Sequence, residues 1–124
     1  MNEILRIQLP IELTNGNDGR GSKWFNSARL RKSIEIDLRN LGHSRAPFEF
    51  PVNIHLIRIL GPRQSFWDSD SGFRGNAKEL IDALVAVGWF VDDGPKWIKS
   101  ATFSQDARQR KNGPGVCIVV SKAV

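Results

Sequence analysis

Ala77-Lys78-Glu79-Leu80-Ile81-Asp82-Ala83-Leu84-Val85-Ala86-Val87-Gly88 is the stretch on which the fold turns. Ala77, Leu80, Ile81, Leu84 and Val87 recur at the three- and four-residue spacing that gathers them on one side of an α-helix. Asn76 precedes the run as an N-cap, Glu79 follows three residues later as in a capping box, and Gly88 ends it. Upstream, Val52-Asn53-Ile54-His55-Leu56-Ile57-Arg58-Ile59 alternates as a strand does. Val52, Ile54, Leu56 and Arg58 share one face, and Asn53, His55, Ile57 and Ile59 share the other.

A second helix is predicted earlier, with Ala28, Leu30, Ile34, Leu38 and Leu41 as its apolar stripe. Asn26 or Ser27 would cap it, and Gly42 stands where a C-terminal glycine belongs. Arg29, Arg31, Lys32 and Arg39 occupy its other side, either as a solvated face or as phosphate contacts. Residues 4–10 read as a strand stopped by Pro10, and the glycine-rich residues 14–22 as a mobile loop. Residues 97–104 and 116–120 read as two closing strands forming a late hairpin, with a basic loop at 105–115 between them. The order strand, helix, strand, helix, strand, strand predicts an α+β two-layer sandwich. Its mixed β-sheet would carry the helices packed on one face, with residues 1–124 as a single domain.

Composition narrows the function classes. Eighteen Lys and Arg against thirteen Asp and Glu leave a formal charge of +5, which points to an anionic partner, nucleic acid first. Cys117 is the only cysteine, so no internal disulfide forms, and its apolar strand context predicts inert burial. The longest uncharged apolar stretch, residues 83–91, falls short of the roughly 20 residues a membrane span needs. The N-terminal residues lack the layout of a signal peptide, which predicts a soluble, cytoplasmic protein. No phosphate-binding or dinucleotide glycine motif is present, and two histidines give little support to a nucleophilic hydrolase.

The chemistry that remains is acidic. Asp68 and Asp70 are two residues apart, so in extended chain both carboxylates point to one side. Asp92 and Asp93 are adjacent, so at most one of them points the same way. A hard cation such as Mg²⁺ takes oxygen ligands, typically one or two carboxylates with water and substrate phosphate. Lys78, in the first turn of its helix, could add positive charge near a phosphate under attack. Plainer roles stand beside these: aspartates in turns bond their own backbone, and Lys78 with Asp82 is an i, i+4 surface pair.

Taken in order, Asp68-Ser69-Asp70-Ser71, Lys78, Asp82-Ala83-Leu84, Gly88 and Asp92-Asp93 resemble the RusA family of Holliday-junction resolvases, small bacterial and phage endodeoxyribonucleases. The motif block spans residues 66–97. The resemblance implies a homodimeric, metal-dependent nuclease acting on branched DNA in recombination and repair. By position, Asp68, Asp70 and Asp93 would hold Mg²⁺ (or Mn²⁺), Asp92 would be an auxiliary carboxylate, and Lys78 would stabilise the phosphate. Arg29, Arg31, Lys32, Arg74, Arg108, Arg110 and Lys111 are the candidate DNA contacts. Ser71 replaces the family's usual Asn, and the loop before Lys78 is longer than in the shortest members. Both departures motivate an alternative: a non-catalytic DNA-binding protein on the same fold, with a drifted active site.

Overall fold

The polar sequence of residues 98–106 and the apolar sequence of residues 115–122 decide the sheet order. In the computed structural model, residues 3–13, 23–66 and 77–123 are described, with the backbone alone for 23–27. The elements are β1 (Glu3–Leu9), α1 (Lys23–Asn40), β2 (Val52–Ile59), α2 (Ala77–Ala86), β3 (Ile98–Asp106) and β4 (Gly115–Lys122). A short 3₁₀ turn, Arg110–Asn112, precedes β4. The four strands form one sheet in the order β1-β4-β2-β3. β4 is antiparallel to both β1 and β2, whereas β3 runs parallel to β2 with α2 as the crossover between them.

The fold is therefore α+β with a mixed sheet, but the closing strands do not form the expected hairpin. Val116, Ile118 and Val120 are fully buried and Cys117 nearly so. A strand of that composition gains most between two neighbours. Lys99, Ser100 and Thr102 stand on β3, a strand whose polar, largely exposed sequence suits an edge.

Both helices cover one face. Ile34 and Leu38 from α1, and Leu80, Ala83 and Leu84 from α2, share a core with Leu9, Val52, Ile54, Leu56, Val116, Ile118 and Val120. On β2 the alternation holds, with Val52, Ile54, Leu56 and Arg58 on the buried face, and Ile59 at the strand end is buried as well. α1 begins at Lys23, so Asn26 and Ser27 lie inside the helix and not at its cap. Ala28 and Leu41, expected in the stripe, are exposed; Glu35 is buried in their place. Ile81 is half-buried, and Val87 is buried just beyond the helix end. The predicted 14–22 loop and the Asn76 cap lie outside the described residues. No helix among the described residues is long and apolar enough to cross a membrane.

Each helix ends on a glycine in the left-handed region, φ +80° at Gly42 and +102° at Gly88. The amides follow a Schellman pattern: His43 donates to Leu38 O (2.9 Å) and Trp89 to Leu84 O (2.9 Å). A side chain at Gly42 would meet nothing, but a Cβ at Gly88 would overlap the carbonyl oxygen of Arg45. Gly88→Ala is therefore expected to cost more than the ~1–2 kcal/mol of left-handed backbone alone, the cost expected of Gly42→Ala. Urea unfolding of the two variants checks the order; equal losses would mean that the Arg45 contact carries no weight.

Candidate functional site

Asp93 is positioned by the segment that joins α2 to β3. Trp89 and Phe90 pack against Phe48, with ring centroids 6.4 and 5.9 Å away. Trp89 Nε1 donates to His43 O (2.6 Å), and the Phe48 amide donates to Trp89 O (3.1 Å). These bonds fasten the chain leaving α2 to the chain leaving α1. The next turn closes on Gly94, whose carbonyl accepts from the amides of Trp97 and Ile98, both at 3.0 Å.

Within that turn the adjacent aspartates part company. Asp92 Oδ1 accepts from the Gly94 amide at 2.7 Å, an Asx turn that commits the carboxylate to its own backbone. Asp93 is exposed and makes no hydrogen bond or ion pair with any described residue. Its side chain lines an open groove of about 360 Å³ with Lys78, Ile81 and Asp82 from α2, and Ile98, Lys99, Ser100 and Ala101 from β3. Lys78 Nζ lies 3.5 Å from Asp82 Oδ2, the i, i+4 pair that the spacing allows. Two of the residues that the sequence singled out, Lys78 and Asp93, thus share one groove. Asp68, Asp70 and Arg74 lie outside the described residues. Among the described residues no three His, Cys, Asp or Glu side chains converge on a common point.

The candidate DNA contacts fall in two other places. On α1, Arg31, Lys32 and Arg39 surround the buried Glu35 carboxylate at 3.7, 3.8 and 3.4 Å. Three cations on one carboxylate leave that patch positive. Arg39 also reaches the Ala86 carbonyl (3.4 Å), tying α1 to the end of α2. Arg29 is exposed on the same helix.

Arg108, Arg110 and Lys111 follow β3, beyond its far end from the groove. Ser100 and Asp106 are separated by roughly 20 Å of strand. Arg110 Nη1 donates to Gly61 O (2.7 Å) and Gln64 O (2.6 Å), so it braces the chain that leaves β2. Buried Arg58 braces the same chain through Ser65 O (3.0 Å) and holds Gln105 Oε1 (2.8 Å). Lys111 is exposed, with no partner among the described residues.

Sequence reasoning missed Lys99, Arg58 and Asp106. Asp106 Oδ1 accepts from the Arg108 amide (2.7 Å) and Nε (3.1 Å), and Oδ2 accepts from Gln109 Nε2 (3.1 Å). Of the histidines and Cys117, only His55 pairs with a potential nucleophile, and no described carboxylate hydrogen-bonds its ring to complete a triad. His55 Nε2 meets Ser104 Oγ at 2.7 Å, and its pKa is pushed down by burial and then by Arg6. Burial pushes the Cys117 thiol up. No protein-family model matches the chain, and no curated protein matches it.

The bonds from Arg108, first its side chain and then its amide, followed by Gln109, lower the Asp106 pKa from 3.8 to about 2. A depressed carboxylate contributes stability that is full above 3.8 and lost as pH falls through about 2. Asp106→Asn is therefore expected to destabilise the protein at neutral pH. Its deficit should shrink across that acid window, read as denaturation midpoint against pH. A deficit independent of pH would mean that the charge on Asp106 is not what stabilises the loop.

Proposed function

We propose that the chain is a Mg²⁺-dependent endodeoxyribonuclease that cuts phosphodiester bonds in branched DNA, resolving Holliday junctions as a homodimer. The observation that carries this reading is the meeting of an unpartnered carboxylate, Asp93, with the Lys78 ammonium in one solvent-open groove among the described residues. In kind, the donors suit a hard divalent cation: Asp93 offers anionic oxygen with no competing partner among the described residues, and Asp68 and Asp70 would complete the set. A bound Mg²⁺ would supply charge neutralisation at the phosphoryl oxygens.

The remaining work belongs to this chain's own side chains. Lys78 would place its charge against the phosphate as negative charge develops there. Its present pairing with Asp82 is no obstacle. An exposed i, i+4 pair is worth about 0.3–0.5 kcal/mol, far less than the differences that decide catalysis. Asp92 would hold the turn that presents Asp93. Arg29, Arg31 and Lys32 on α1, Arg108, Arg110 and Lys111 beyond β3, and Arg74 would attract the DNA backbone without regard to sequence. A C₂ dimer would present two equivalent sites to a junction that itself has approximate two-fold symmetry. The second reading, a DNA-binding relative without catalysis, draws on the Lys78–Asp82 pair, which is also what an inert surface would show.

Incubation with labelled four-way junction and matched linear duplex, in Mg²⁺, Mn²⁺ or EDTA, tests the choice. Paired symmetric nicks in the junction alone, lost in EDTA, are expected. Asp70→Asn and Asp93→Asn should each abolish cutting while junction binding persists. Asp92→Ala should keep cutting and lose about 1 kcal/mol of stability with its turn bond. Cutting by Asp93→Asn at the wild-type rate would overturn the nuclease assignment of this groove. Tight binding without cleavage by the wild type would select the second reading. Sedimentation at micromolar concentration should show a dimer, and a monomer would contradict the paired-cut mechanism.

A further inference from the structure

β3 carries an irregularity at the groove. Val52 pairs with Ile98 and Asn53 pairs with Ser100, so Lys99 has no partner on β2. It is the extra residue of a β-bulge, in a parallel pair where bulges are rare. The insertion changes the alternation of the strand. Ile98 is buried, and Ala101 stands opposite the buried Ile54 three positions on, where an even spacing would be expected.

The bulge sits on the strand at the edge of the sheet. Bulges at such places re-aim side chains. Here the re-aimed residue is a lysine that lines the same groove as Lys78 and Asp93. Lys99 is exposed and makes no ion pair with any described residue. Lys78, in contrast, is paired with Asp82. Of the groove's two ammonium groups, Lys99 is thus the one that no carboxylate among the described residues neutralises. Its other neighbours are small: Ala101, and Ser100, whose hydroxyl donates to Asn53 Oδ1 at 2.8 Å. Neither is bulky enough to block approach to the ammonium from β3.

We infer that Lys99 is a phosphate-contacting residue of this groove, placed by the β3 bulge to hold the DNA backbone alongside the Asp93 carboxylate. The inference rests on the nuclease reading of the groove and adds to it a DNA contact that sequence spacing does not reveal. A cation beside the carboxylate offsets the repulsion between Asp93 and an approaching phosphate. Its flexible four-carbon stem lets it follow one phosphate without fixing register.

The test measures equilibrium binding of a labelled four-way junction, in EDTA so that no cutting intervenes, across a series of salt concentrations. Wild type, Lys99→Ala, Lys99→Gln, Lys99→Arg and Lys122→Ala are compared, the last removing an exposed lysine outside the groove. Cleavage by each is followed in parallel in Mg²⁺. Both neutral Lys99 variants should lower the salt slope of binding by about 0.9, the share of one duplex phosphate. They should also weaken junction binding several-fold, Lys99→Arg should restore the slope, and Lys122→Ala should leave it at the wild-type value. A wild-type slope in both neutral variants, with wild-type cleavage intact, would overturn the role of Lys99 alone. Failure of the wild type to bind the junction at all would overturn the nuclease reading and this inference together.

Discussion

The insertion of β4 between β1 and β2 is the constraint from which the rest of the architecture follows. Val116, Ile118 and Val120 turn one fully buried row toward the helices. Burying each such side chain stabilises the fold by about 1.5–3 kcal/mol, so a central position outweighs the simpler hairpin with β3. Once β4 occupies that position, β3 has β2 as its single neighbour and becomes an edge. The edge is where a polar strand costs least. It is also where a groove can open between strand and helix, beside the turn that carries Asp93.

Two features set the electrostatics of that groove. The Asx turn at Asp92 takes one of two adjacent carboxylates out of play and leaves Asp93 available. The β3 bulge falls at Lys99, which lines the same groove. Arg58 and Arg110 act elsewhere, pinning the chain that leaves β2, the segment that continues toward Asp68 and Asp70. The basic loop beyond β3 stands roughly 20 Å along the strand from the groove, about six base pairs of duplex length. In the proposed function, that separation would let one protomer grip the backbone away from the cut.

Local rules account for what was legible in the chain. The α2 periodicity, the alternation of β2 and the glycine stops at Gly42 and Gly88 each express an interaction within a few residues, and each appears where expected. Strand partnership is a different kind of fact. Whether β4 pairs with β3 or inserts beside β1 depends on burial summed over the whole sheet, which neighbouring residues do not encode. The start of α1 departs from expectation for a related reason. Asn26 and Ser27 are good caps, but they are also tolerated inside a helix, and α1 takes both of them in. In the groove, Lys78 is legible from its place in the first turn of α2, whereas Asp93 is told apart from adjacent Asp92 only by what the family resemblance implies. Lys99 is not legible, because an alternating strand assigns it no special direction; only the uneven step from Ile98 to Ala101 hints at the bulge.

The central claim is that Asp93 and Lys78 mark a cation-dependent site on the β3 edge. Titration of isotopically labelled protein with Mn²⁺ tests it most directly, through paramagnetic broadening of assigned amide signals. The account predicts selective, Mg²⁺-competable broadening at Asp93, Lys78 and Lys99–Ala101, with Arg110–Asn112 unaffected. Broadening centred on the basic loop or on α1, or spread evenly over the surface carboxylates, would contradict it.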